Sequence, residues 1–133
     1  MRSIIIVFAL LMSSSLVWQS CSKEGDLFGD GDSRESFVGN WSVSDQCSKQ
    51  SYGVDIKLSE SNSSEVIIVN FANVGRSADA IIAGSSITVE KQDVGGGYTV
   101  DGYGKINGST IVWSSYNFET EANATKCTAT FKK

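Results

Sequence analysis

The chain has 133 residues, of which 41% are hydrophobic and 20% charged, with 13 glycines and no proline. Aromatic and β-branched residues are plentiful, so this composition is typical of one folded domain with short appendages and excludes a largely disordered chain. The formal net charge is -4 and the charges form no basic stripe, so we expect no nucleic-acid partner.

The N-terminal segment predicts an export signal. Residues 4–12, IIIVFALLM, form an apolar run behind Arg2. This run is too short to span a bilayer, which takes about 20 apolar residues, so we interpret residues 1–20 as a cleaved signal peptide. Cleavage by the ordinary secretory peptidase after Ser15 is one alternative, and cleavage immediately before Cys21 is the other.

Cys21 ends this segment in the sequence LVWQSC. The sequence resembles the lipobox of bacterial lipoproteins, in which a small residue precedes a cysteine that is thioether-linked to diacylglycerol. Ser20 fits that pattern, whereas Trp18 departs from the usual leucine. The resemblance implies that Cys21 is acylated and anchors the chain to a membrane. An unmodified cysteine beside a signal peptide is the alternative.

The residues after Cys21 predict a tether and a localisation signal. The stretch SKEGD resembles the lysine-plus-acidic signal that sends lipoproteins of Bacteroidetes to the outer face of the outer membrane. It implies an outer-membrane lipoprotein that is exposed at the cell surface, or otherwise faces the periplasm. Residues 21–35 are acidic and glycine-rich without apolar periodicity, as expected of a solvated linker.

Residues 36–133 predict an all-β domain. They contain short alternating runs separated by turn residues, which predict strands near 37–46, 53–60, 65–71, 78–83, 86–91, 98–106, 109–118 and 125–132. Each strand is followed directly by the next, so we predict a small eight-stranded antiparallel up-and-down barrel, whose closure removes exposed edges. Short turns alternate with longer connections, which places the long loops at one end, away from the tether.

The domain cysteines predict a disulfide. With Cys21 acylated, Cys47 and Cys127 remain as an even pair in an exported domain, where an oxidising compartment favours a disulfide. A zinc site would lack ligands because the chain has no histidine and no CxxC spacing. The disulfide would join the first strand to the last and set Val43 opposite Phe131.

The stretch GYGKINGSTIVW predicts a tight hairpin, because Asn107-Gly108 favours a two-residue turn. The face predicted to point inward is apolar and glycine-rich, which lets the strand bend tightly: Val100, Gly102, Gly104, Ile111 and Trp113. In this register Gly102 lies opposite Trp113. Ser115 and Asn117 also point inward at the mouth of the barrel, and the outer aromatic and apolar residues are Tyr103, Val112 and Tyr116.

Gly39-x-Trp41 on the first predicted strand, FVGNWSV, resembles the signature of the lipocalins. The wider pattern, as far as CTATFKK, is similar to small lipocalin-like lipoproteins of Bacteroidetes. The resemblance implies that Trp41 packs across the closed end of the barrel under a basic residue, here Lys132 or Lys133. It also implies a small apolar or amphipathic ligand inside the cup. The domain is shorter than a typical lipocalin and lacks the helix that follows its last strand.

Two functions stay open at this point. A ligand-binding barrel would have its floor at Gly39, Trp41, Ile111 and Trp113, with candidate ligand contacts at Tyr98, Ser115, Asn117 and Arg76. The alternative is a non-enzymatic protein-binding module, such as a hydrolase inhibitor or a component of a cell-surface complex. Its core would be filled by Trp113, Tyr98 and Phe131, and its VGGGY loop at 94–98 would approach the partner.

Catalysis is not expected from this sequence. Without histidine, a serine–histidine or cysteine–histidine nucleophile is excluded, and the acids Asp55 and Asp101 alternate onto outer faces. We therefore expect no catalytic residue, no metal and no cofactor. The expected partners are membrane lipid through Cys21 and either a small hydrophobic ligand or a surface protein.

Overall fold

A computed structural model describes residues 32–133. Nine strands form: β1 Gly39–Asp45, β2 Ser51–Leu58, β3 Glu65–Val69, β4 Ser77–Ala83, β5 Ser86–Gly95, β6 Tyr98–Asn107, β7 Thr110–Glu119, β8 Ala124–Thr125 and β9 Ala129–Lys132. A short 3₁₀ helix covers Ser33–Ser36, and Phe71–Asn73 forms a turn in which Ala72 and Asn73 have positive φ. The predicted signal peptide, Cys21 and most of the tether lie outside the described residues. Within them, no helix is long and apolar enough to span a membrane.

The sheet closes on itself. Strands β1 to β7 follow one another as antiparallel neighbours, and β9 pairs with both β7 and β1. The predicted eight-stranded antiparallel barrel is therefore confirmed. The predicted last strand is split into β8 and β9, because the N–H of Cys127 donates to the side-chain oxygen of Asn117 (3.1 Å) instead of to a strand carbonyl.

The disulfide between Cys47 and Cys127 is confirmed, with a Cα–Cα distance of 5.8 Å. Cys47 follows β1 and Cys127 precedes β9, in the register that sets Val43 opposite Phe131, as predicted. The ladder continues up to the disulfide, since the N–H of Gln46 donates to the carbonyl of Thr128 (2.9 Å). The crosslink therefore holds the closing strands together at the long-loop end.

The β6–β7 hairpin turns one residue later than predicted. Its two turn residues are Gly108 and Ser109. Gly108 has a φ of +63°, and glycine with a positive φ at the first turn position is characteristic of a type II′ turn. Because the turn moves, Gly104 lies opposite Trp113 rather than Ile111.

A β-bulge at Ser114 interrupts the alternation of inward and outward side chains that we predicted for β7. Gly104 pairs with Trp113 and Tyr103 pairs with Ser115, so Ser114 has no partner on β6. One extra residue exchanges the inner and outer faces of the strand beyond it. This exchange could not be predicted from the hairpin pattern, because the pattern assumes a continuous register.

Because of the bulge, three residues of β7 lie on the opposite face of the sheet from the one we predicted. Tyr116 is 1% exposed and points inward, whereas we predicted it outside. Ser115 and Asn117 turn outward, whereas we predicted them inside. The side chain of Asn117 donates to Asp101 (3.0 Å), which lies on the outer face of β6.

Large side chains fill the interior. The buried aromatic residues are Trp41, Trp113, Tyr116, Phe37, Phe71 and Phe131. The ring centroid of Trp113 lies 5.2 Å from that of Phe131 and 5.6 Å from that of Phe71. A Cβ at Gly104 would lie 3.0 Å from Cδ2 of Trp113, so the glycine makes room for the indole. The inward position of Gly104 and Trp113 was predicted correctly.

Trp41 closes the short-turn end of the barrel. Its indole N–H donates to the carbonyl of Phe37 (2.7 Å). The ammonium of Lys133 lies 4.6 Å from the centre of the Trp41 ring, within the range of a cation–π contact, and donates to the carbonyl of Val38 (2.7 Å). A Cβ at Gly39 would lie 3.2 Å from Cε of Lys133. Lys133 thus takes the place that the resemblance implied for a basic residue.

The last residues of the predicted tether pack on the barrel. Arg34 is 8% exposed, and its side chain bonds through Nε and Nη2 to the carboxylate of Asp32. Its Nη1 donates to two carbonyls of the β2–β3 connection, those of Ser59 (3.2 Å) and Asn62 (3.0 Å), and to that of Glu65 (3.0 Å), the first residue of β3. The chain therefore enters the barrel at the short-turn end, as predicted, but the folded part begins before Ser36.

Asp32→Asn should lower stability in a pH-dependent way. The hydrogen bonds from Arg34 lower the pKa of the Asp32 carboxyl. A carboxyl whose pKa is lowered in the folded state stabilises the fold at pH values above the ordinary aspartate pKa. This stabilisation is lost as the pH falls through the lowered pKa. We expect the variant to melt below the natural protein at neutral pH and the difference to shrink below about pH 4. Thermal unfolding across this pH range measures it.

Glu35→Gln is the matched control, because Glu35 is an exposed neighbour in the same turn. A difference in melting temperature for Asp32→Asn that stays constant across the pH range would contradict the ion-pair interpretation.

Candidate binding site

The candidate site lies at the barrel mouth, the end where four connections meet: residues 46–50, 70–76, 96–97 and 120–123. The predicted alternation of short turns and longer connections is wrong at two places, since 96–97 is a two-residue turn and the connection 59–64, at the other end, has six residues. A cleft of about 320 Å³ opens at the mouth, at the lower end of the volume range of small-molecule sites. We call it the mouth cleft. Its apolar lining comes from Ala72, Val74, Tyr98 and Phe118, and its polar lining from Asp45, Ser48, Asn73 and Thr125, beside Cys47 of the disulfide.

Two aromatic rings form one wall of the mouth cleft. Tyr98 begins β6 and Phe118 lies near the end of β7, with ring centroids 6.4 Å apart and planes inclined by 60°. Both side chains are half-buried, so part of each ring stays accessible. Rings placed this way offer apolar contact area without leaving a large exposed patch.

The opposite wall is a connection with unusual backbone geometry. Between β3 and β4, positive φ values occur at Asn70 (+71°), Ala72 (+56°), Asn73 (+61°) and Gly75 (+74°). Asparagine and glycine adopt this conformation readily, but alanine does so at a cost of about 1–3 kcal/mol. Such strain persists where surrounding contacts hold it, and it is frequent at binding sites.

The side chain of Asn70 holds this connection in shape. Its Oδ1 accepts a hydrogen bond from the N–H of Gly75 (2.8 Å), which closes the loop. Its Nδ2 donates to the carbonyl of Gly53 (3.1 Å), which ties the loop to β2. Val74 is thereby held at the cleft instead of moving freely with an open loop.

A chain of hydrogen bonds runs beneath the cleft. The N–H of Ala72 donates to the phenol oxygen of Tyr116 (2.8 Å). The Tyr52 phenol contacts both Oδ2 of Asp45 (2.7 Å) and the Tyr116 phenol (3.0 Å). Because each phenol has one proton, Tyr52 donates to the carboxylate and Tyr116 donates to Tyr52. The strained connection is thus linked through two tyrosines to β1.

The charge of Asp45 is satisfied within the site. Its Oδ1 accepts hydrogen bonds from the N–H groups of Cys47 and Ser48, in addition to the bond that Oδ2 accepts from the Tyr52 phenol. Burial raises the pKa of the Tyr52 phenol well above its usual range, and burial also raises the pKa of Tyr116. The two phenols therefore stay protonated and act as fixed donors.

The structure separates the predicted site residues. Tyr98 lines the mouth cleft, and Arg76 lies on the adjoining connection. Ser115 and Asn117 face outward because of the bulge at Ser114. The predicted floor residues Trp41, Ile111 and Trp113 are buried, and Gly39 lies against Lys133. Only Tyr98 among the predicted ligand contacts therefore lines the cleft.

The space above the floor is occupied by side chains. Phe71 and Tyr116, with ring centroids 4.4 Å apart, lie between Trp113 and the mouth. The predicted core filler Tyr98 is instead half-buried at the cleft. The interior position that the resemblance implied for a ligand is thus taken by the chain itself, and the accessible volume lies above these rings.

Other parts of the described surface are weaker candidates. A shallow groove of about 480 Å³ crosses the outside of β1 and β2, over Ser42, Ser51 and Gly53. Trp41 and Tyr52 also line it, but Trp41 is only 2% exposed and so offers little ring surface. Among residues 32–133, no group of three or more His, Cys, Asp or Glu side chains is placed to hold a metal ion.

Sequence reasoning missed Phe71, Val74 and Phe118. The letters NVG after Phe71 correctly indicate a loop, but they do not indicate that the loop folds inward over the barrel. Phe118 ends a predicted strand, and its position at the mouth depends on the bulge four residues earlier.

Tyr116→Phe should destabilise the barrel by about 1–3 kcal/mol, because the buried N–H of Ala72 loses its acceptor. Urea unfolding measures the change. Tyr103→Phe is the control, since Tyr103 is 38% exposed on the outer face and loses a phenol without affecting a buried group. Equal losses in the two variants would contradict the role of the phenol beneath the cleft.

Comparison with known proteins adds no assignment. No family model matches the chain. No curated protein and no solved structure matches it either. The lipocalin-like resemblance therefore stays a prediction.

Proposed function

We propose that the chain is a lipid-anchored, non-enzymatic binding protein of the bacterial outer membrane. It takes the apolar part of a small amphipathic ligand into the mouth cleft. The observation that carries this proposal is the cleft itself: about 320 Å³, walled by the rings of Tyr98 and Phe118 and by a strained loop held from below.

The chemistry of the cleft supports an amphipathic ligand. An apolar group placed against Tyr98 and Phe118 would remove part of both rings from water. Burial of a ring-sized group stabilises a complex by about 1.5–3 kcal/mol. Asp45, Ser48 and Thr125 supply polar atoms at the same cleft. Because Asp45 already accepts three hydrogen bonds, its charge is compensated without a ligand.

The position of the cleft suits an anchored receptor. Arg34 holds the chain at the short-turn end of the barrel, and the mouth lies at the other end. With Cys21 acylated, the tether would leave the barrel near the membrane and the mouth would face away from it. A ligand would then reach the cleft from the medium without passing the lipid surface.

The filled interior favours a second candidate, a protein-binding module. With Trp113, Phe71 and Tyr116 packed inside, the deep cup of a ligand carrier is occupied. A partner protein could insert one side chain into the mouth cleft and contact the glycine turn at 96–97. The two candidates differ in whether the cleft binds a small apolar molecule in the absence of a protein.

Phenylnaphthylamine, an uncharged apolar dye whose fluorescence rises on leaving water, tests the small-ligand candidate. We expect the purified protein to bind it. Tyr98→Ala and Phe118→Ala should each weaken binding by about ten-fold or more, because each ring contributes apolar contact of about 1.4 kcal/mol or more. Tyr103→Ala is the control, since its ring lies on the outer face.

Two results would contradict the small-ligand candidate. One is the absence of dye binding by a protein that is shown to be folded by circular dichroism. The other is binding that Tyr98→Ala and Phe118→Ala leave unchanged, which would place the dye elsewhere. Either result would favour the protein-binding candidate.

Acylation of Cys21 is tested by mass. Protein extracted from membranes should begin at Cys21 and carry the added mass of its acyl chains, whereas Cys21→Ser should accumulate in the soluble fraction. A membrane-extracted chain with an unmodified Cys21, or one that begins at Leu16 after cleavage behind Ser15, would overturn the anchor.

A further inference from the structure

The backbone of Arg76 is fixed beside the mouth cleft, since its carbonyl accepts the N–H groups of Asn70 and Phe71. Its guanidinium lies against the connection between β5 and β6, at the place where a side chain of Gly96 would be. A Cβ added to Gly96 would come within 2.8 Å of Nε and of Nη2 and within 3.2 Å of Cζ. Gly95 lies slightly farther away, with 3.8 Å from its ideal Cβ to Nη1. The glycine loop is therefore a platform for this guanidinium.

The guanidinium has no anionic partner in the part of the chain that the structure describes. The ion pairs there join Arg34 to Asp32, Lys57 to Asp55 and Lys91 to Glu119. The nearest acid along the platform, Asp93, instead accepts the N–H of Gly95 (2.8 Å). Arg76 is exposed, so a ligand in solvent can reach its guanidinium.

Arg76 and the mouth cleft share two connections. Val74, which lines the cleft, is two residues before Arg76, and Tyr98, which also lines it, is two residues after Gly96. Two residues span at most about 7 Å. The arginine and its platform are therefore the immediate continuation of two walls of the cleft, on the solvent side.

We infer that Arg76 is an anion-binding residue and that the ligand is a small organic acid. Its carboxylate or sulfonate would accept hydrogen bonds from the guanidinium, a planar donor group suited to such anions, while its apolar part enters the mouth cleft. This inference rests on the proposed function and names the chemical class of its ligand. It also gives Gly96 a role, since this residue must lack a side chain for Arg76 to lie there.

A pair of related dyes separates the charge from the apolar part. Anilinonaphthalene sulfonate carries an anionic group on the same ring framework as the uncharged phenylnaphthylamine. Arg76→Gln should weaken binding of the sulfonate dye by about five-fold or more and leave binding of the uncharged dye unchanged. Arg76→Lys should retain part of the effect, because the charge remains but the planar donor group is lost. Added salt should weaken only the anionic dye.

Two glycine variants test the platform. Gly96 and Gly97 have φ values of +68° and +85°, so alanine strains the backbone at both. Only at Gly96 would the new Cβ meet Arg76, since nothing lies within 4 Å of a Cβ at Gly97. We expect Gly96→Ala to weaken the sulfonate dye as Arg76→Gln does, and Gly97→Ala to leave its binding unchanged.

The possible results distinguish failure of the anion-binding role of Arg76 from failure of the proposed ligand-binding function. If neither dye binds, or if Tyr98→Ala leaves both unchanged, the proposed function fails and this inference fails with it. If the uncharged dye binds at Tyr98 but Arg76→Gln weakens neither dye, the proposed function stands and the inference is overturned. If Gly97→Ala weakens the sulfonate dye as strongly as Gly96→Ala, loop strain rather than the position of Arg76 is responsible.

Discussion

The packing of Trp113 onto β6 is the contact on which the rest of the barrel depends. Gly102 and Gly104 lack side chains where the indole lies, and a Cβ at either would come within 3.2 Å or less of its ring. This close approach lets β6 and β7 curve tightly enough for a sheet of short strands to close. The indole nitrogen has no acceptor among the described residues, so shape rather than hydrogen bonding holds Trp113.

The bulge at Ser114 connects this core to the mouth. With a continuous register, Ser115 would follow Trp113 into the barrel and leave a polar, open interior. The extra residue brings Tyr116 inward instead, where its ring packs on Phe71 and its phenol reaches the N–H of Ala72. Because of this one unpaired residue, the Tyr116 side chain both fills the barrel and supports the strained loop of the cleft.

A filled barrel places recognition at the rim. Because the interior is occupied, a ligand can use only the space between the connections, where Tyr98, Phe118 and Val74 meet. Loops carried by a rigid sheet are common places for binding residues. Here the disulfide of Cys47 and the hydrogen bonds of Asn70 limit the movement of two of these connections, so the cleft is largely preformed and binding would need little ordering of the chain.

Local pattern determined much of this protein. Alternation and turn residues predicted the strand order, the even pair of cysteines predicted the crosslink and its register, and the glycines facing Trp113 predicted the curved inner face. Each of these depends on near neighbours or on a covalent bond.

The mouth depends on more distant contacts, and only the tertiary structure decided it. A single unpaired residue at Ser114 exchanged the faces of β7, and Arg34 drew the end of the tether onto the barrel. The loop after Phe71 lies over the barrel, where the N–H of Ala72 donates to the phenol of Tyr116. The sequence names Arg76 and the three glycines at 95–97, but only the fold places the guanidinium on Gly96, since the two are twenty residues apart and meet across neighbouring connections.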